Sequence, residues 1–186
     1  MVSLTGRLLV ATPALFDPNF AGTVLLVCQH DEDGALGLVL NRPSAAPAGE
    51  FLPDWAPLLV EPAVVFVGGP VQQEMAIGLC RSDVLLPADA EDEGLVRVAV
   101  GLALVDLSLS PDEIPDARPL RVFTGYAGWS PGQLESEVEE GAWFVIATEA
   151  EDALTNDPLG LRRRVLRRQQ TRVSIFAEYP ADPTLN

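Results

Sequence analysis

No lysine occurs in the 186 residues; all 12 basic side chains are arginine. That absence excludes the usual forms of Walker-A phosphate binding, Schiff-base chemistry and kinase-type catalysis, each of which uses a lysine amine. Histidine is almost missing too, since His30 is the only one. A metal site would need carboxylates to complete it, and none stands at a suggestive spacing, so neither metal nor cofactor is expected. Two cysteines, Cys28 and Cys80, are too few for a disulfide framework and read as buried free thiols. No apolar run reaches the length of a membrane span. The first residues lack a basic start followed by a long apolar stretch, with Pro13 and Asp17 interrupting. The expectation is a cytoplasmic protein without a membrane partner.

Positive charge is scarce. The formal net charge is −15, from 27 acidic and 12 basic residues. Such a surface repels nucleic-acid backbone and anionic membrane over most of its area. What the chain does have is enough apolar material, 48% of residues, to build a core. A chain of this length buries roughly 70% of its unfolded surface and needs no covalent staples.

Strand-like runs dominate. Residues 7–11, 23–29 and 35–41 are rich in Val and Leu, and the Asp33-Gly34 step between the last two suits a hairpin turn. Residues 43–63 read as a loop holding a short helix. A strand at 64–67 ends at Gly68-Gly69-Pro70, with 76–80 as its antiparallel partner. Residues 85–93 read as an acidic loop. The stretch 95–109 reads as strand, with a helix in its second half as the alternative. Ser110-Pro111 opens one helical turn that Pro115 stops. A strand at 120–124 leads into a glycine-rich turn, Gly125-Tyr126-Ala127-Gly128-Trp129. Ser130-Pro131-Gly132-Gln133 then has capping-box order and starts a helix that Gly141 closes. A strand at 143–147, a helix from Asp157-Pro158 to about residue 170, a strand at 173–177 and a Pro-rich tail complete the chain. No repeat or linker divides it, so one α+β domain over 1–186 is expected.

Four groups of residues could carry chemistry. Cys28 and His30 stand two apart on a strand, which puts them on one side by simple alternation. They could form an activated thiolate or a pair of ligands, or be a buried thiol beside a hydrogen-bonded imidazole. Gly68-Gly69-Pro70 follows a strand as phosphate loops do, but proline removes an amide donor, and a tight structural turn is the stronger reading. Arg163, Arg164, Arg167 and Arg168 share one helical face opposite Leu161, Val165 and Leu166. Nucleic-acid contact is the sharp reading of that face, and helix-dipole complementation with carboxylate pairing is the plainer and stronger one. Arg162 falls on the apolar side and should snorkel or find a carboxylate. Tyr126 and Trp129 could bind a ligand or pack over the core.

The blocks LVATPALFDPNF at 9–20, TVLLVCQH at 23–30, GALGLVLNRP at 34–43, VFVGGPV at 65–71 and GYAGWSPGQLESEVEEGAW at 125–143 run in order along the chain. Together they resemble the AlgH/YqgE family of bacterial proteins. The resemblance implies a single α+β domain whose barrel-like, branched β-sheet packs around a few helices. It implies a regulatory role, since members are commonly labelled transcriptional regulators, and no established enzymatic activity. Two positions depart from the usual pattern: Arg162 replaces an aromatic, and Cys80 replaces a histidine common in similar proteins. The leading expectation is a non-enzymatic protein that binds a protein partner. Its candidate surface comprises Asp17, His30, Asn41, Arg42, Gly68, Gly69, Tyr126, Trp129, Gln133 and Glu135. The alternatives are a small-ligand or thiol/histidine site built from Cys28, His30 and Asp17, and direct DNA contact through the arginine face.

Overall fold

In the computed structural model, residues 2–82, 91–92, 94–114, 117–170 and 172–179 are described. Most of the expected acidic loop at 85–93, the stop at Pro115 and the tail beyond 179 lie outside the described residues. Short Val/Leu runs bounded by Gly, Pro and Asp give eleven strands among them. These are β1 (Arg7–Ala11), β2 (Val24–Asp31), β3 (Gly34–Val39), β4 (Pro43–Pro47), β5 (Val64–Val67) and β6 (Val71–Arg81). They continue with β7 (Glu91–Asp92), β8 (Leu95–Ala99), β9 (Leu102–Val105), β10 (Leu120–Trp129) and β11 (Trp143–Ala147). The main path runs β11-β1-β2-β3-β10-β6-β9-β8-β7, with β4 and β5 branching off it. The helices are α1 (Ala48–Phe51), α2 (Gln133–Glu139), α3 (Ala150–Ala153) and α4 (Leu161–Arg167), with 3₁₀ turns at Pro53–Leu58 and Arg172–Glu178. The whole is a mixed α/β fold, an antiparallel sheet curled into a half-barrel.

The branch point is β10. Along one edge its residues 127–129 pair with β3 and its residues 123–124 run parallel to β5. Along the other edge it pairs with β6. The curl brings β8 back against the start of β1, where a Cβ on Gly6 would lie 2.8 Å from the Val98 carbonyl oxygen. Inside the curl, Leu8, Leu26, Leu38, Phe66 and Phe123 meet Leu161, Val165 and Leu166 of α4. The outer face of β1–β2–β3–β10 packs Leu25, Val27 and Val39 beneath Leu134 of α2. A third cluster joins Trp55, Cys80, Val105 and Leu120.

Several expectations change. The 64–67 strand does not pair with 76–80; both flank β10, and β5 pairs with β4 instead. The 95–109 stretch is a hairpin, β8–β9, turned at Val100-Gly101 with Gly101 at φ +73°. The segment 125–129 is not a turn. It continues β10, broken only by a bulge at Gly125 (φ +66°). The regular part of the last helix is shorter than expected, because Asp157 caps a turn onto the Gly160 amide before α4 begins. The 173–177 segment is 3₁₀ rather than strand. It packs on the sheet through Phe176 against Phe144 of β11, and Arg162 Nη1 donates to the carbonyls of Phe176 and Tyr179.

Candidate functional site

A bulge in β2 decides what His30 can do. Val27 pairs with Gly37 but Gln29 pairs with Leu36, so Cys28 is the extra residue and the side-chain alternation inverts after it. Cys28 packs inside the curl beside Leu26 and Leu38. His30 pairs with Ala35, which packs on the outer cluster, and its Nε2 lies 3.2 Å from Glu135 Oε1 on α2. The sheet therefore separates the two residues that simple alternation placed together. Burial also pushes the Cys28 thiol up to about 12, which leaves it protonated and inert at neutral pH. Cys80 is raised to about 12 by the same cause.

His30 is committed to local structure on both sides of its ring. The Leu4 amide donates to Nδ1 at 3.0 Å, so the neutral ring carries its proton on Nε2. That N–H lies 3.2 Å from Glu135 Oε1 without the alignment of a good hydrogen bond. Asp17 does not join them. It lies at the opening end of β2, where its Oδ1 accepts the Asn19 amide and its charge faces Arg42. About 20 Å of strand separates Val24 from His30. Asn41 accepts the Val24 amide and donates to the Gly22 carbonyl, and Arg42 donates to the Pro18 carbonyl. These three residues fix the 12–23 loop. Asp17, Asn41 and Arg42 thus gather at the opening end of β2, whereas His30 and Glu135 meet at its other end.

On the outer face, Trp129 and Trp143 both donate their indole N–H to Glu137 Oε2, at 2.9 and 2.8 Å. Gln133 donates to the other oxygen at 2.9 Å and accepts the Ser130 amide, closing the start of α2. Phe20 stacks on Trp129 and meets Trp143 edge-on. Gly37 lets the Trp129 ring cross β3, since a Cβ there would sit 3.3 Å from it. Glu137 is the residue that sequence reasoning missed. Its only signal was an acidic residue between two tryptophans in a short helix, which also suits plain dipole complementation.

Gly68 and Gly69 are buried where the chain crosses β10. A Cβ on Gly69 would lie 2.1 Å from the Tyr126 carbonyl carbon, and one on Gly125 would lie 2.6 Å from the Gly69 carbonyl oxygen. The GGP and GYAGW motifs are two halves of one close backbone crossing. Just beyond it, residues 72–75 of β6 arch outward, with Gln72 at φ +46°. Between this arch and the β2–β3 hairpin lies an open groove of about 500 Å³. Its walls include Gln29, Asp31, Asp33, Val71, Tyr126 and Pro131. Gln29 Nε2 donates to Asp31 Oδ2, and the Asp33 amide donates to Asp31 Oδ1. These bonds hold the Asp31 carboxyl below its ordinary range.

The arginine face is largely spent inside the molecule. Arg163 and Arg167 both pair with Glu178, and Arg168 pairs with Asp152 and Glu149. Arg164 is exposed beside Ala150 and Thr155. Arg121, unremarked in sequence, is 1% exposed and stacks over Phe66 at 4.3 Å. It donates to the carbonyls of Ala153 and Glu61, and burial lowers its pKa to about 10. Among the described residues no group of three His, Cys, Asp or Glu side chains could hold a metal ion, and no helix is long and apolar enough to cross a membrane.

Comparison with known proteins places this architecture. A UPF0301 protein of Streptomyces coelicolor is 50% identical over 189 residues, covering 99% of this chain and 96% of that protein. A UPF0301 protein of Thermobifida fusca is 45% identical over 191 residues, covering 100% of this chain and 96% of that one. The crystal structure of a Corynebacterium diphtheriae protein superposes with a TM-score of 0.87 at 30% identity, over 96% of this chain and 94% of that one. The solution structure of the AlgH protein from Pseudomonas aeruginosa superposes with a TM-score of 0.65 at 30% identity, over 97% of both chains. A family model described as AlgH-like matches residues 8–174. The chain, with its bulged β2, its glycine crossing and its paired tryptophans, belongs to the AlgH-like family.

Proposed function

We propose that this chain is a non-enzymatic cytoplasmic protein that acts in a regulatory role by docking a protein partner in the groove beside Tyr126. One observation carries the reading. The groups with catalytic character are each tied to local partners on different faces, whereas the groove leaves carboxylates, an amide and an aromatic ring open to solvent. A convex partner segment offering N–H donors or a basic side chain suits Asp31, Asp33 and the Tyr126 ring. The arginine face offers little to nucleic acid, because three of its four guanidinium groups already face carboxylates.

The test compares proteins co-purified from cells by the wild type, by Asp31→Arg with Tyr126→Ser, and by Arg164→Gln. The reading predicts a partner held by the wild type and by Arg164→Gln but lost from the groove variant. An identical set of proteins from all three would overturn it. So would a salt-sensitive DNA mobility shift abolished by Arg164→Gln.

A further inference from the structure

His30, the chain's single histidine, holds residues 3–5 against the sheet through an atom that a proton can take away. The β1–β2 register covers Leu8–Val10 against Val24–Leu26, and the Gly6 amide reaches the Val27 carbonyl one step further on. Beyond the Cys28 bulge the preceding segment is held by other means. The Leu4 amide donates to His30 Nδ1 at 3.0 Å, and the Ser3 hydroxyl donates to the His30 carbonyl at 2.9 Å. The Leu4 side chain packs on the outer cluster that includes Leu134. Val2, Ser3 and Thr5 are exposed and Leu4 is half-buried, so little else secures the segment.

The two nitrogens of the ring do opposite things. Nδ1 accepts, so it must keep its lone pair, while Nε2 carries the proton 3.2 Å from Glu135 Oε1. A second proton can therefore enter only at Nδ1. It would put an N–H where the lone pair was, facing the Leu4 N–H, and one of the two donors must turn away. The ring is the fixed partner: its side chain is 1% exposed, and its backbone pairs with Ala35 of β3. The covering segment is the one that yields. The charged groups that face the ring are Glu135 from α2 and Asp31 beside it on β2. Ser3, Leu4 and Thr5 of the covering segment and Ala35 of β3 bring no charge. An imidazolium would thus keep its Nε2–H on the Glu135 carboxylate as a charge-assisted pair and would not stand as a lone buried charge.

We infer that His30 is a proton-operated latch: protonation at Nδ1 displaces the Leu4 amide, frees residues 2–5 from the sheet, and opens the His30 carbonyl and the Leu4 seat on the outer cluster to solvent. Gln29 and Asp31, on either side of His30, wall the groove beside Tyr126. The latch and the groove therefore share a strand, but the latch stands whether or not a partner docks there.

The experiment follows ¹⁵N-labelled full-length protein by NMR at constant ionic strength from about pH 8 to about pH 5, the range over which imidazoles change charge. The nitrogens of the single imidazole and the Leu4 amide are expected to change together, with one midpoint. The heteronuclear NOE of residues 3–5 should fall over the same interval. Exchange protection at Leu4 should drop by about tenfold, roughly the worth of one hydrogen bond. The amides of Leu8 and Leu26 should hold. His30→Gln, whose side-chain carbonyl accepts at any of these pH values, should keep the segment down throughout. Glu135→Gln should move the transition to lower pH, because the imidazolium loses its carboxylate. The inference is overturned by a Leu4 amide indifferent to pH, by a ring that changes charge while residues 3–5 stay ordered, or by the same transition in His30→Gln. An unmoved transition in Glu135→Gln, or loss of the Leu8 and Leu26 signals together with Leu4, overturns it as well.

Discussion

The two faces of the β3–β10 sheet differ more from each other than either does from the rest of the molecule. On the outer face the polar groups around Trp129 close on one another: two indoles and an amide converge on Glu137, and α2 lies over them. Toward the inner face, three residues earlier in the strand, Tyr126 lines an open groove rimmed by aspartates, of which Asp31 bonds to Gln29 and to the hairpin's own amides. The motif residues of one strand therefore divide into builders and bystanders. A closed hydrogen-bond set stabilises a fold and leaves nothing to offer a ligand, whereas an open set does the reverse.

Four outcomes would break or sharpen that contrast. Gly69→Ala or Gly125→Ala should be the most damaging, because a Cβ at either position meets backbone atoms that cannot retreat. A loss of more than about 4 kcal/mol is expected, read by urea unfolding, with little folded protein recovered. Glu137→Ala should come next, at about 2–4 kcal/mol, because two buried indole donors lose a charged acceptor. Tryptophan fluorescence during the same unfolding would report it, and Glu137→Gln should recover part of the loss. Asp31→Asn and Asp33→Asn should leave the urea unfolding curve almost unchanged, as exposed substitutions do. A large loss at either would mean that the groove is a structural joint and that the two faces are alike.

The smallest effect concerns Glu178, exposed and bonded to Arg163 and Arg167. Those bonds hold its pKa below the ordinary 4.5. A carboxylate depressed in the folded state adds stability above its unfolded pKa and loses it as pH falls through the folded one. The clasp between α4 and the 172–178 turn should therefore loosen in acid below about pH 4.5, and sooner in high salt. Amide exchange at residues 172–178 measured against pH checks this. Glu178→Gln should remove the acid dependence, and an unchanged profile would show that Arg162 alone holds the turn.

Most strands could be read from the sequence, because Val/Leu runs between Gly, Pro and Asp carry their own boundaries. Topology was harder. The 64–67 and 76–80 strands are near neighbours in the chain, yet both belong beside β10, whose claim on them comes from a segment some fifty residues later. Side-chain direction at His30 was lost to a single extra residue, Cys28, since a bulge has no reliable signature beyond the local sequence. The glycines of GGP and GYAGW stood out as special positions, but their purpose depends on a crossing between segments distant in sequence. Arg121 gave no signal, because the buried guanidinium bonds to the carbonyls of Ala153 and Glu61, which leave no mark in the sequence. The open groove is half visible in the sequence: Tyr126 stands out, while Asp33 carries only a turn signal.

The position of β10 has a consequence for how the chain is made. A ribosome delivers β3, β5 and β6 well before residues 120–129 exist, and β1 waits longer still for β11. Until then β1–β2–β3, β4–β5 and β6–β9–β8 can each close as separate pieces, while the edges of β3, β5 and β6 that β10 will cover stay unpaired. A nascent chain arrested before residue 120 is thus three small sheet fragments with open edges and no strand to join them, and should be more prone to aggregate than the finished chain.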